Sequence, residues 1–215
     1  MGDLLPLGLD ELLTTTRAVR RRLDLGRPVP IELVMECIGV AQQAPVGGNS
    51  EIWHFVVVTD TAKKQALGDL YAKAFAVYRQ APIYPTHLAG AHRAQGTQQR
   101  VADSAAYLAE HLAEAPLLVI PCVETVVKGL PLPPATALGS VLPAAWSFML
   151  AARARGLGTC WTTLHLMHEA DAAALLGIPD GVAQAMLTPV AFTLGTSFRA
   201  ADRPDPASIT HVNAW

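Results

Sequence analysis

QQAPVGGNSEIWHFVVVT, residues 42–59, contains the clearest helix-to-strand junction of the chain. A pattern of helical spacing, Ile31 to Gln43, leads into it, and the β-branched run from Trp53 to Thr59 predicts a strand after it. Such a joint needs only a short turn, yet a proline, two glycines, an asparagine and a serine fill it. Turn chemistry is one explanation, because Gly and Asn favour turns. The alternative is a backbone laid open to a flat, polar ligand, because glycine lets a ligand approach the amides closely.

Helices and strands alternate on both sides of this joint, which predicts an α/β or α+β sandwich in a single domain, residues 1–215. The irregular stretch 81–97 is expected to form a mobile flap, and residues 196–215 an extended C-terminal tail. The predicted helices are Leu7–Arg22, Ile31–Gln43, Thr61–Tyr78, Gln98–Glu114, Leu138–Arg155 and Glu169–Leu176, and the predicted strands are Trp53–Thr59, Pro116–Val123, Thr159–Thr163 and Met186–Gly195.

The composition is more apolar than that of an ordinary soluble monomer. Apolar residues make up 51% of the chain and charged residues 16%, so the excess is expected to lie in a subunit interface. The formal net charge of −2 gives no reason to expect nucleic acid or an anionic membrane as a partner. Residues 129–152 carry no charge, but several prolines interrupt them, which favours a core or interfacial helix over a membrane span.

The cysteines and the N-terminus indicate a reducing compartment. The three cysteines are far apart and have no CxxC spacing, which is typical of buried thiols rather than of a disulfide framework. The first residues contain acids and lack a basic region, so no signal peptide is expected. Together these features predict a cytoplasmic protein.

Four arginines occur within the six residues from Arg17 to Arg22. One interpretation is a solvated helix end, the usual location of a run of charges. The other is an anion site, because the planar guanidinium group matches a phosphate.

The segment GLGTCWTTLHL, residues 156–166, begins like a dinucleotide-binding fingerprint but lacks its third glycine. It also follows a helix and precedes a strand, the reverse of the required order, so the glycines are more simply a helix stop. His165, His168 and Glu169 have a spacing that a metal could use, but no HExxH or CxxC pattern supports them, and we predict no metal.

Four segments, in this order, resemble the nitroreductase family of FMN-dependent oxidoreductases. They are TTRAVRRRLD with the following RPVP, QQAPVGGNSEIWHFVVV, GSVLPAAWSFMLAARARGLGTCW, and LLGIPDGV with the following PVAFTLGTSFRAADRP. The resemblance covers nearly the whole chain. It implies an α+β fold with a central, mostly antiparallel sheet flanked by helices, and a homodimer with two FMN sites at the subunit interface.

The resemblance also implies roles for individual residues. Arg17 and Arg203 match positions that bind the FMN phosphate, with Arg199 a near candidate, and Arg21 matches the cation beside flavin N1 and O2, with Arg20 close by. The loop from the other subunit would meet the flavin through Pro45, Val46, Gly47 and Asn49, and Thr162 or Thr163 would offer a backbone amide to N5. Ala18 and Val19 stand where the family has a basic residue and a serine, so they would contribute backbone contacts only.

The implied reaction is hydride transfer from NADH or NADPH to FMN and then to a nitroaromatic, quinone or enone by a ping-pong mechanism. No catalytic side chain is expected, because the cofactor carries the chemistry. Trp161, Tyr84, His87 and His92 are substrate-pocket candidates, although a structural or solvent-exposed role explains the flap residues equally well. Two alternatives remain open: another flavin reaction on the same fold (dehydrogenase, dehalogenase or flavin-consuming enzyme), and an FMN-binding or storage protein without turnover.

Overall fold

The computed structural model describes residues 4–50, 52–88 and 95–215. Within these ranges the helices are α1 (Leu9–Thr15), α2 (Ile31–Ala41), α3 (Thr61–Tyr78), α4 (Gln95–His111), α5 (Pro134–Ala154) and α6 (Glu169–Leu176). The strands are β1 (Trp53–Val58), β2 (Leu117–Glu124), β3 (Val126–Val127), β4 (Leu130–Pro131), β5 (Leu157–Thr159), β6 (Val182–Gln184) and β7 (Thr188–Phe192). Short 3₁₀ turns lie at Gly47–Asn49, Pro85–His87, Leu112–Glu114, Leu164–His168 and Pro206–Ile209.

A five-stranded antiparallel sheet forms the centre of the molecule. Its order is β1-β2-β7-β5, with β6 paired to the end of β2 beside β7. The β-branched strand β1 pairs with β2 over its whole length, with Val56 opposite Ile120. The predicted α+β fold with a central antiparallel sheet is therefore confirmed.

The central strand β2 is buried on both faces, and this places helices on both sides of the sheet. Leu117 and Val119 pack into a core cluster with α2 and α5, whereas Leu118 and Ile120 pack on the other face with α3. The alternation follows from the two-residue period of a strand. It also explains why β2 has a continuous apolar sequence rather than an alternating one.

Helix α5 is the long apolar helix that the sequence predicted. Among the residues that the structure describes, it alone has the length and apolar composition of a membrane span. Its buried residues, which include Phe148 and Met149, pack against the sheet and α2. This packing is typical of a core helix.

The predicted helix Leu7–Arg22 is wrong in its second half. Helix α1 ends at Thr15, and the backbone of Thr16 is already extended. Three consecutive threonines end the helix, since β-branched side chains favour it poorly. The arginines that follow are not helical: Ala18 pairs with Thr159 of β5, and residues 20–22 form a bend and turn that the Leu23 N–H closes on the Arg20 carbonyl.

The shortest strands were missed or misplaced by the sequence analysis. The strand predicted at Thr159–Thr163 lies at Leu157–Thr159, because Thr162 makes only an isolated bridge to Leu187. Strands β3, β4 and β6 have two or three residues each, too few to show a period. In the predicted flap, a 3₁₀ turn and the start of α4 are described, whereas residues 89–94, including His92, lie outside the described residues.

Gly158 of β5 is the position where packing leaves no room for a side chain. A Cβ atom there would lie 2.7 Å from Thr193 Cγ2, 2.9 Å from Leu23 Cδ2 and 3.1 Å from Val19 Cβ. We expect Gly158→Ala to lower the free energy of unfolding by about 1–3 kcal/mol, since overpacking forces neighbours apart. Urea unfolding measures this. Gly96→Ala, in exposed helix α4 with only an ordinary contact at 3.7 Å, is the matched control and should be neutral or stabilising; equal midpoints for both variants would contradict the prediction.

Candidate functional site

The arginine segment is held against the sheet by backbone hydrogen bonds. The Val19 N–H donates to the Thr159 carbonyl at 2.8 Å, and the Asp24 N–H donates to the Phe192 carbonyl at 2.8 Å. Val19 and Leu23 are buried in a small apolar cluster with Ala191. These contacts fix the segment and leave its arginine side chains on the outside of the sheet edge.

The arginines line a surface depression of about 520 Å³ together with residues from α4 and the tail. Among the residues that the structure describes, its lining contains no carboxylate, histidine or cysteine. Because five guanidinium groups face one depression without a compensating acid, the site is suited to an anion. The lining residues are Arg17, Ala18, Val19, Arg20, Arg21, Arg22, Ser104, Ser197, Phe198 and Arg199.

Arg20 and Arg21 differ in what they contact. Arg20 is half-buried and donates to Ser104 Oγ at 3.4 Å. Burial raises the pKa of the Cys160 thiol, and the nearby Arg20 partly offsets this rise. Arg21 is exposed, and its guanidinium makes a long contact of 3.5 Å with the Asp103 carbonyl. Of the two, Arg21 is the more available to a ligand.

The tail contributes Arg199 rather than Arg203 to this depression. The Arg199 carbonyl accepts a hydrogen bond from Arg17 Nη1 at 2.8 Å, and both residues line the depression. Arg203 is exposed and is not part of the lining. Within the protomer Arg199 is the tail arginine at this depression, and the predicted phosphate contact of Arg203 stays a prediction.

The glycine-rich loop forms an exposed turn away from the arginine depression, and its predicted contact with a flat ligand stays a prediction. Gly48 and Asn49 both have positive φ angles, of 64° and 49°. The Ser50 hydroxyl donates to the Gly47 carbonyl at 2.8 Å and closes the turn. The loop borders a depression of about 610 Å³ lined by residues of 42–55, Pro45, Val46 and Asn49 among them, and none of its residues lines the arginine depression.

The amide of Thr162 is already used within the protomer. It donates to the Leu187 carbonyl at 3.1 Å, and the Thr162 hydroxyl donates to the Tyr71 hydroxyl at 3.0 Å. Thr163 is exposed, so it is the member of the pair that can offer a backbone amide outward. Trp161 is half-buried and packs against the core cluster of α2 and α5.

Two flap residues predicted to contact substrate, Tyr84 and His87, are described by the structure, and neither lines the arginine depression. Tyr84 is only 5% exposed and packs edge-on against Phe75 and Tyr78, which favours the structural role, and its contact with substrate stays a prediction. His87 is exposed, its Nδ1 lies 3.0 Å from the Ala81 carbonyl oxygen, and it borders a groove between α3 and α4.

The comparison with protein families decides the affiliation. The sequence model of the nitroreductase family matches residues 13–195, which include the arginine segment, the glycine-rich loop, α5 and β7. The chain belongs to the nitroreductase family.

Relatives of this nitroreductase-family chain carry out several reactions. The chain is 35% identical over 163 residues to 5,6-dimethylbenzimidazole synthase of Rhodospirillum rubrum. The aligned region covers 73% of the chain and 69% of the relative. The fold matches iodotyrosine deiodinase bound to FMN and 3-iodo-L-tyrosine, with a TM-score of 0.73, 21% identity and coverage of 97% and 100%. It also matches the FMN and NADPH-dependent nitroreductase NfnB from Sphigopyxis sp. strain HMH, with a TM-score of 0.67, 21% identity and coverage of 97% and 100%.

The structure adds residues to the site of this family member that the sequence analysis did not single out. Ser104 and Ser197 line the depression, and Phe198 lies beside the arginines. Arg153, at the end of α5, is only 4% exposed and lies behind Phe198. The one sequence signal for Arg153 is a charge directly after the uncharged stretch 129–152.

His165 is a fully buried histidine in the 3₁₀ turn Leu164–His168. Neither ring nitrogen has a hydrogen-bond partner among the described residues, and burial lowers the pKa of His165 from 6.5 to about 4. No group of three or more metal-binding side chains occurs in the part of the chain that the structure describes. The arrangement makes His165 a neutral core residue at physiological pH.

His165 should make the fold sensitive to acid. Because the folded pKa is depressed, the unfolded chain binds a proton between pH 6.5 and about 4 and the folded chain does not, so this residue lowers stability as the pH falls through that window. The expected loss is on the order of 3 kcal/mol. Urea unfolding at pH 7 and pH 5 should show a smaller pH dependence for His165→Leu than for the wild type. His211→Gln, at an exposed tail position, should behave like the wild type, and an unchanged pH dependence in His165→Leu would contradict the assignment.

Proposed function

We propose that this chain is an FMN-dependent oxidoreductase that takes hydride from NADH or NADPH and reduces a small conjugated acceptor of the nitroaromatic, quinone or enone type by a ping-pong mechanism. The observation that carries the proposal is the depression lined by five arginines and no acid, in a chain of the nitroreductase family. A phosphate is one of the two anions, with a carboxylate, whose oxygens such planar donors match.

The donor set at this depression fits FMN. Arg17 and Arg199 would hold the phosphate, because both line the depression and are joined to each other by a hydrogen bond. Arg21 is the exposed guanidinium that would lie near N1 and O2 of the ring system, where negative charge develops on reduction. The exposed Thr163 would supply the amide near N5.

The second half of the site would come from another copy of the chain. The glycine-rich loop does not line the arginine depression of its own protomer, so we propose a homodimer in which this loop serves the partner's cofactor. Exposed apolar side chains on three helices support such an interface, because monomers rarely leave many of them in water. They are Leu9 and Leu13 on α1, Met35 and Val40 on α2, and Trp146 on α5.

Bound FMN would supply the group that accepts and returns a hydride, and the chain would bind and orient it. The lining of the depression offers no carboxylate, histidine or cysteine as a general acid or base. Hydride transfer needs none, which favours this reaction over one that requires several proton transfers. The three buried, free cysteines suit the reducing cytoplasm, where NAD(P)H is available.

A second candidate function is the synthesis of 5,6-dimethylbenzimidazole from the flavin itself. The 35% identity to 5,6-dimethylbenzimidazole synthase supports it, and the dimethylbenzene ring of that product is also part of FMN. It would make the flavin a substrate rather than a recycled cofactor.

One experiment separates these functions. The purified protein, loaded with FMN, is mixed with NADPH or NADH without oxygen, and its absorbance near 450 nm is followed. We expect bleaching, and the faster donor is the physiological one. Oxygen is then admitted: a return of the yellow colour supports the oxidoreductase, whereas permanent loss of flavin with a product of the mass of dimethylbenzimidazole supports the synthase. Flavin that stays oxidised with both donors would contradict both and indicate storage.

The two tail arginines give a matched pair for the phosphate site. Arg199→Ala should weaken FMN binding roughly tenfold or more, because a hydrogen bond to a charged group is lost. Arg203→Ala removes the same charge outside the depression and should change the affinity little. Titration of flavin fluorescence measures both. A larger loss for Arg203→Ala would mean that Arg203 reaches the phosphate, contrary to its position in the protomer.

A further inference from the structure

Two guanidinium groups lie over the ring of Phe198. The Cζ atom of Arg22 is 4.1 Å from the ring centroid, and the Cζ atom of Arg153 is 4.8 Å from it. Both distances are within the range of a cation–π interaction. The ring is half-buried and forms part of the lining of the arginine depression. A single aromatic side chain thus joins the arginine segment, the end of α5 and the tail.

Arg22 also holds the tail backbone on the N-terminal side of Phe198. It donates to the carbonyls of Leu194 at 3.0 Å, Gly195 at 2.7 Å and Ser197 at 2.9 Å. Gly195 has a φ of 76°, and a Cβ atom there would be 3.1 Å from Arg22 Nη2, so the chain curls closely around the guanidinium. Only arginine has enough donors in a fixed plane for this arrangement.

Arg153 is buried, and no carboxylate among the described residues forms an ion pair with it. Its Nε and Nη1 atoms have no hydrogen-bond partner among the described residues, and burial lowers the pKa of its guanidinium, an effect that nearby Glu11 opposes. An unpaired buried cation is costly, so a compensating contact is required. The ring face of Phe198 is the contact that the structure provides.

The contacts of Phe198 affect the position of the next residue of the tail. Arg199 follows Phe198 directly, and its carbonyl accepts the hydrogen bond from Arg17 at 2.8 Å. We propose that Arg22, Phe198 and Arg153 form a clamp that positions Arg17 and Arg199 to bind the phosphate of the cofactor. The inference rests on the proposed FMN function and names three positioning residues that need not touch the flavin ring.

The test compares FMN with riboflavin, which has the same ring system but no phosphate. Phe198→Leu keeps an apolar side chain of similar volume and removes the ring face. We expect the dissociation constant of FMN to rise about tenfold, or about 1.4 kcal/mol, and that of riboflavin to stay within about twofold. Flavin fluorescence titration gives both constants, and urea unfolding of the cofactor-free protein monitors the fold.

Arg22→Lys is the second variant, with Arg27→Lys as its matched control. Lysine keeps the charge of Arg22 but cannot reach three carbonyls, so the same FMN-selective loss is expected. Arg27 stacks on Phe192 at 3.5 Å and lies outside the arginine depression, so its replacement should leave both flavins unaffected.

Each of the other possible outcomes contradicts the clamp, and one of them also contradicts the proposed function. If both variants bind FMN like the wild type, the clamp is wrong and the proposed function stands. If FMN and riboflavin weaken equally, the three residues support the fold in general and the clamp is again wrong. If the wild type binds neither flavin, the proposed function fails and the clamp fails with it.

Discussion

The positions of the helices and of the free sheet edge follow from the burial of strand β2 on both faces. Its residues Leu117 to Val123 are all buried, so helices must cover both sides of the sheet. Because helices cover both faces of the sheet, its edge is the part that a polar ligand can reach. At that edge the short strand β5 lies outermost and pairs through Thr159 with the arginine segment. The positions of the arginines therefore follow from the way the core is closed.

Electrostatics set the second constraint, because the sheet edge gathers cations that repel one another. These arginines differ in what they contact. Arg22 donates to the tail backbone, and Arg20 donates to Ser104. Arg17 and Arg21 each make one hydrogen bond to a backbone carbonyl and keep further donors for a ligand. Like charges held this close cost free energy until an anion binds. A site of this kind favours a phosphate before any catalytic group is considered.

The family provides a fold and a cofactor class, but not a single reaction. Relatives with this fold include a deiodinase, a nitroreductase and, at 35% identity, a 5,6-dimethylbenzimidazole synthase. This diversity has a physical reason, since a bound flavin carries the chemistry and the protein selects what reaches it. The choice of reaction then lies in the residues around the ring and in the half of the site that a second copy would supply.

The elements with strong local signals, and the family, could be predicted from the sequence alone. Helix α3 spans Thr61–Tyr78 as predicted, because Asp60 caps it and its side chain accepts from the Lys63 amide at 2.8 Å. The glycine-rich loop, the central sheet and the family follow from local patterns in the same way. Contacts between distant segments set the non-helical conformation of residues 17–22, the position of Arg199 in the lining of the arginine depression and the burial of Tyr84. Each depends on contacts between segments far apart in the chain, with Thr159, with Arg17 and with Ala102, and no local pattern contains that information.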